Sequence, residues 1–285
     1  MASVAMTMAP AHTGTNDTAG ARRLAEVFER ARADGRAAFI PYVVAGYPDA
    51  DAGVDIALAI ADAGADVLEI GLPYSDPLAD GATLQRASQV ALGAGASLDG
   101  SLRLIERIGA KRPDVPLVPM GYANQVIGGG DGETVLRRLA SAGAAGVIVA
   151  DLTPDEGGPF EAVARSVGMA VIYLVAPTTA PERRERIAAR SGGFLYCVSL
   201  VGLTGARSAL APEVRQLVTD VRAVSPVPVA VGFGISTPEH VSAVAKAGAD
   251  GVVVASALVD ALGANGRDIA AVTTLAGELR AATTR

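Results

Sequence analysis

The chain has one cysteine, Cys197, and two histidines, His12 and His240, among 285 residues. A lone cysteine excludes an intrachain disulfide. Two histidines are too few for a multi-histidine metal site or a spare catalytic base, which argues against zinc hydrolysis and Ser-His-Asp chemistry. No apolar run reaches the roughly 18–20 residues of a membrane span without a charge or a glycine. The opening MASVAMTMAPAHTGTNDTAG also lacks the basic start and sustained apolar stretch of a secretory leader. Basic residues are not clustered: 24 Lys and Arg are interspersed with 30 Asp and Glu, for a net charge of −6. That leaves no electrostatic footprint for nucleic acid. Together the absences point to a soluble protein of a reducing compartment, the cytoplasm.

Half of the residues are hydrophobic, with 33 Gly and 16 Pro, which is a globular composition. Residues 1–19 offer no periodic apolar face and read as a flexible tail. From residue 20 onward, Val- and Ile-rich runs alternate with amphipathic stretches, the pattern of βα units around a parallel sheet. Eight strands are expected, at Ala38–Ala45, Asp66–Leu72, Pro116–Tyr122, Gly146–Asp151, Ala170–Ala176, Phe194–Leu200, Val227–Gly234 and Gly251–Val259. Helices are expected between them at Val54–Ala63, Leu98–Ala110, Thr134–Ala142, Pro159–Val167, Pro181–Arg190, Pro212–Val224 and Pro238–Ala247. Several open on Pro, which costs no hydrogen bond in a first turn. Three close on AGAD, AGAAG or AGADG, where a glycine past the helix end turns the chain back toward the sheet. The expectation is a single domain over 20–285: an α/β (β/α)₈ TIM barrel, with an extra N-terminal helix near 20–35 and a C-terminal helix near 267–283.

In such a barrel reactive groups lie at the C-terminal ends of strands and in the loops beyond them. The segment LEIGLPYSDPLADGATLQ, residues 68–85, carries Glu69 between apolar neighbours and then Ser75, Asp76 and Asp80 in a long loop. A carboxylate in a buried strand is costly unless it is paired or functional, so Glu69 is either a bonded core acid or a reactive group. Asp76 and Asp80 are either turn and cap residues or part of the chemistry. A second constellation is three turns rich in small residues, at Gly202–Ala206, Gly232–Ser236 and Ala255–Ser256. They occupy the rim where barrels of this kind hold phosphate on backbone N–H groups.

With those residues in view, the chain over about 20–285 resembles the tryptophan synthase alpha subunit family. The likeness rests on FIPYVVAGYPD (39–49), AGADVLEIGLPYSDPLADGATLQ (63–85), GVIVADLTPDE (146–156), GLTGAR (202–207) and GFGISTPEHVSAVAKAGADGVVVASALV (232–259). It implies a ribulose-phosphate-binding type of barrel and a lyase of tryptophan biosynthesis. Such a lyase cleaves indole-3-glycerol phosphate to indole and glyceraldehyde 3-phosphate without cofactor or metal, and passes indole to a pyridoxal-phosphate-bearing beta subunit. Carried over by position, Glu69 is the proton shuttle and Asp80 the anion facing the indole N–H. Tyr42, Tyr122, Tyr196 and Phe233 border the indole pocket, and Gly205, Gly234 and Ser256 contact phosphate. Ala255 stands where the family commonly has Gly, Ala82 where it usually has Pro, Tyr42 where some members have Phe, and Leu200 where some have Arg. These departures keep two alternatives in play: a stand-alone lyase paralogue releasing free or substituted indole, and a chain that mainly activates a beta subunit allosterically.

Overall fold

The protein was analysed as a computed structural model, which describes residues 17–128, 132–198, 212–232 and 234–285. Twelve helices and nine strands alternate among these residues. The strands are β1 (Ala38–Val44), β2 (Leu68–Gly71), β3 (Leu117–Gly121), β4 (Gly146–Val149), β5 (Ala170–Ile172), β6 (Leu174–Val175), β7 (Leu195–Val198), β8 (Val229–Gly232) and β9 (Gly251–Val254). Every described pairing is parallel, in the order β5-β4-β3-β2-β1-β9-β8-β7-β6. Strands sheltered on both faces have no need of polar alternation, which is why they read as continuous Val/Ile runs.

The two ends of that row are consecutive stretches of one chain segment, separated only by Tyr173. Its N–H leaves the ladder for Ser191 Oγ at 3.1 Å, and its carbonyl accepts from Tyr196 N–H at 3.0 Å. The sheet is therefore a nearly closed (β/α)₈ barrel, in which the expected run 170–176 forms two short strands instead of one.

The expected helices are present, with boundaries shifted by a few residues: α1 (Ala19–Ala33), α2 (Ala50–Asp62), α4 (Leu98–Lys111), α6 (Gly132–Ser141), α7 (Gly158–Ser166), α8 (Pro181–Arg190), α9 (Pro212–Val224), α10 (Pro238–Lys246) and α12 (Ile269–Ala281). The closing glycines Gly64, Gly143 and Gly248 sit at φ of 108°, 99° and 98°, the left-handed conformation that only glycine adopts without strain.

Three corrections to the sequence expectations stand out. Thr18 and Ala19, expected outside the first helix, belong to its cap and first turn, because Thr18 accepts from Ala21 N–H at 3.0 Å and Gly20 N–H donates to the Gly168 carbonyl at 2.8 Å; residues 1–16 lie outside the described residues. The last strand ends at Val254, and Ser256–Ala261 form a short helix, α11. The region after the 68–85 motif holds two further helices, α3 (Ala82–Gly93) and the single-turn α5 (Ala123–Val126). In α3 the buried positions Leu84, Ala87, Ser88 and Ala91 are spaced by 3, 1 and 3 residues, a helical stripe partly disguised by small and polar side chains.

Candidate active site

In parallel strands, paired residues point to the same face, and Tyr42 on β1 pairs with Glu69 on β2. Both turn into the barrel mouth. There Tyr42, Glu69, Asp80, Tyr196, Gly234 and Ser256 line one cavity of about 360 Å³, a size suited to a small organic ligand. Gly81, Leu84, Met120, Ile235, Ser236, Val253 and Ala255 complete the lining. Of these, Ala255, Ile235 and Ser236 lie in the small-residue turns noted from the sequence, whereas Gly81, Leu84, Met120 and Val253 were not singled out as site residues. Phe233 and Gly205 lie outside the described residues, as does Leu200.

Two glycines make room for the tyrosines. A Cβ on Gly71 would fall 1.7 Å from the Tyr42 hydroxyl, and one on Gly232 would fall 2.5 Å from the Tyr196 hydroxyl. Both separations are too short for atoms to tolerate, so the backbone itself forms the wall against which each phenol ring lies. Burial and the facing carboxylates Glu69 and Asp80 push both phenols well above their ordinary range and keep them neutral.

Glu69 is 2 % exposed, and its Oε2 has no hydrogen-bond partner among the described residues. Burial first, and the charge of Asp80 second, raise its carboxyl to about 8. Asp80 is raised to about 6 by burial, against which a hydrogen bond from the Tyr122 hydroxyl acts. Two acids facing one cavity are thus set apart: near neutral pH Glu69 keeps its proton while Asp80 is largely charged. Such a split commonly separates an acid from an electrostatic stabiliser.

The structure gives Tyr122 a different place from the other aromatics. It is not part of the cavity lining. Its hydroxyl donates to Asp80 and accepts from Ala79 N–H at 3.1 Å, so it pins the β2–α3 loop from the end of β3. Its ring stacks on Tyr74 with centroids 5.2 Å apart. Nearby, Gln125 donates to the Pro73 carbonyl at 2.7 Å and Asn124 to the Tyr74 hydroxyl at 3.1 Å. The short α5 turn therefore holds the loop that carries Asp80. In that loop Ser75 donates to Asp76 at 2.5 Å, both exposed, which makes Asp76 a local turn partner.

Gly234, at φ 74°, lines the same cavity as the two acids, and so does Ser256, which opens α11. The cavity therefore brings together two acids, a glycine turn and a serine. Among the described residues no cluster of three or more His, Cys, Asp or Glu is placed to hold a metal ion, and no helix is long and apolar enough to cross a membrane.

Comparison with known proteins agrees over nearly the whole chain. Residues 28–283 match the family model described as tryptophan synthase alpha chain. The chain is 45 % identical over 240 residues to the tryptophan synthase alpha chain of Roseiflexus castenholzii, covering 84 % of this chain and 91 % of that one. It is 43 % identical over 262 residues to the protein of the same name from Methanothermobacter thermautotrophicus, covering 90 % and 95 %. Among solved structures, Mycobacterium tuberculosis tryptophan synthase superposes with a TM-score of 0.84 at 39 % identity, over 92 % of this chain and 98 % of that chain. With a (β/α)₈ barrel, the 63–85 motif and this degree of likeness in agreement, the chain belongs to the tryptophan synthase alpha chain family.

Proposed function

We infer that the chain is a carbon–carbon lyase that splits indole-3-glycerol phosphate into indole and glyceraldehyde 3-phosphate. The single observation that carries the mechanism is that Glu69, buried and with its Oε2 without a partner among the described residues, lines the same cavity as Asp80, an arrangement that favours the proton on Glu69 and the charge on Asp80. The bond to break joins C3 of the indole ring to C1′, which bears a hydroxyl. Glu69 delivers its proton to C3, and the ring becomes cationic. Asp80, an anion near the indole N–H, stabilises that charge as preorganised electrostatics. The Glu69 carboxylate then takes the C1′ hydroxyl proton as the C3–C1′ bond opens. The bonding electrons return to the ring, C1′ becomes an aldehyde, and Glu69 regains its starting form.

In this reading Tyr42 and Tyr196 border the indole, while Gly234, Ser256 and, beyond the described residues, Gly205 and Phe233 complete the phosphate end and the pocket. Ala255 keeps the N–H that a glycine would offer. The partner is a tryptophan synthase beta subunit that consumes the released indole in the cytoplasm. Both acids occupy the cavity, so no observation favours a chain reduced to allosteric activation.

The experiment is incubation of the purified chain with indole-3-glycerol phosphate, with and without a beta subunit, while following indole. Indole release with many-fold activation by the partner is expected. Release that ignores the partner would favour the stand-alone enzyme, and no release under either condition removes the lyase assignment.

A further inference from the structure

The turn leaving β8 runs through Gly234, Ile235 and Ser236 to Thr237, the N-cap of α10. Thr237 Oγ1 accepts from His240 N–H at 3.3 Å. The His240 ring answers by reaching back over the turn, where Ser236 N–H donates to its Nδ1 at 3.4 Å. This is the reciprocal logic of a capping box, in which the third helical residue is usually Glu or Gln. Here that residue is a histidine. The N–H it holds lies one position before the cap, on Ser236, which lines the substrate cavity.

A backbone N–H can only donate, so this contact is made by the tautomer that presents the Nδ1 lone pair. Ser236 Oγ lies 3.4 Å from that same nitrogen. Nδ1 has one lone pair, whereas Ser236 offers two donors, its N–H and its O–H. The ring can hold one of them at a time, and the other is left for the cavity. At 3.4 Å either contact is weak, and a phosphate oxygen, which makes the stronger charge-assisted bond, can take the donor over. His240 is itself 7 % exposed, packed beneath the turn.

We propose that His240 is a positioning residue for the phosphate end of the substrate: its buried ring fixes the Gly234–Ser236 turn and presents Ser236 to the anion. The inference rests on the lyase reading, because it requires a phosphate at this rim. Histidine is scarce in this chain, and this copy spends its acceptor on a cavity residue.

The test uses the full chain, with inorganic phosphate and glyceraldehyde 3-phosphate as calorimetric probes and indole-3-glycerol phosphate as substrate. His240→Ala is expected to weaken both probes about fivefold to tenfold, the worth of one ordinary hydrogen bond. It should raise KM by the same factor with kcat within about twofold. Ser236→Ala should match it, and the double variant should be no worse than either single one, because the two residues act as a unit. His240→Gln, which restores an acceptor at the capping-box position, should recover most of the loss. Unchanged phosphate affinity in His240→Ala, whatever its melting temperature, overturns the proposal, as do additive losses in the double variant. Ser236 is exposed, so Ser236→Ala decides the matter if His240→Ala does not fold. A wild-type chain that binds phosphate without cleaving the substrate refutes the lyase reading alone, while the ratio of phosphate affinities still judges His240. One that binds no phosphate refutes both.

Discussion

Asp66, two residues before β2, and Glu69, within it, stand three residues apart and live in opposite electrostatic worlds. At the N-terminal end, Asp66 receives two guanidinium N–H bonds from Arg36 at 2.6 and 2.9 Å, has Arg280 at 3.7 Å, and accepts Phe39 N–H at 2.8 Å. The same AGAD sequence recurs before β9. There Asp250 accepts Val229 N–H at 3.0 Å and lies within 3.5 Å of Arg32, Arg222 and Arg285. In the cavity, Glu69 and Asp80 have no cation in contact among the described residues, and each is pushed upward. Acids of one chemistry thus serve two purposes according to the counter-charge supplied. Paired with Arg and backbone N–H they stitch strand entrances together; facing the cavity without a cation they are pushed toward the neutral form, which is the property the proposed mechanism uses. This is the division of labour between the two faces of a barrel.

The largest effect expected from breaking that contrast is at Glu69. Glu69→Gln should lower kcat by about a thousandfold or more, since it removes the transferable proton, while substrate binding largely persists; undiminished turnover removes the shuttle. The same variant should also remove a pH dependence of stability. The folded carboxyl titrates at about 8 instead of the ordinary 4.5, so its protonated form favours folding at low pH and that contribution is lost as pH climbs through about 8. In denaturant unfolding the wild type should therefore be less stable above pH 8 than at pH 4 by roughly 1–3 kcal/mol on this account, a loss that Glu69→Gln, with nothing to ionise there, should not show. At the other rim, Asp66→Ala should cost about 3 kcal/mol by removing the bidentate partner of Arg36, a guanidinium only 10 % exposed that would be left with Asp34 at 3.2 Å. Turnover per folded molecule should stay at the wild-type level. A catalytic loss without a stability loss in Asp66→Ala contradicts the division between the two ends.

The barrel was legible because its signals are local and repeated: Val/Ile runs, Pro at helix starts, and glycine at helix ends. Glu69 was legible as an acid in an apolar strand, though its two possible meanings were separated only by the absence of a cation, which depends on residues distant in sequence. Asp66 and Asp250 show the converse. Their AGAD repeat was visible, but it was read for its glycine alone, because the arginines that answer each aspartate come from four separate helices and segments. α3 was overlooked because its buried stripe includes Ala87 and Ser88, which add little to an apolar pattern. Tyr122 could be placed near the site, yet its bond to Asp80 depends on how the loop folds back. The Thr237-x-x-His240 pairing was hidden because histidine stands where a capping box calls for Glu or Gln.

Tyr122→Phe sharpens the contrast at the reactive end by removing one of the few bonds that favour the Asp80 charge. The wild-type rate should follow a bell between about 6, where Asp80 gains a proton and loses its charge, and about 8, where Glu69 loses the proton it must deliver. Without the phenol hydroxyl, the acidic limb should move upward, the bell should narrow, and kcat should fall about tenfold, a loss of roughly 1.4 kcal/mol. An acidic limb that stays in place means that Asp80 does not set it.

The smallest effect is expected where the chain departs from its family in the loop joining the two behaviours. Ala82 occupies the first position of α3, where the family resemblance implies proline as the usual residue. Proline is suited to that place because the first helical N–H has no intrahelical acceptor and the fixed φ already fits. Its remaining demand falls on the preceding residue, which must be extended. Gly81 meets it, at φ −73° and ψ 165°, and Ala82 is exposed, so a pyrrolidine ring has room. Ala82→Pro should then stabilise the fold by about 0.5 kcal/mol, by narrowing the unfolded ensemble, and raise Tm by about 1–2 °C. kcat/KM should stay within about twofold, since Asp80 keeps its bond to Tyr122. A lower Tm in scanning calorimetry would mean that the alanine accommodates a backbone that proline cannot adopt, and that the loop is held by something other than its first helical turn.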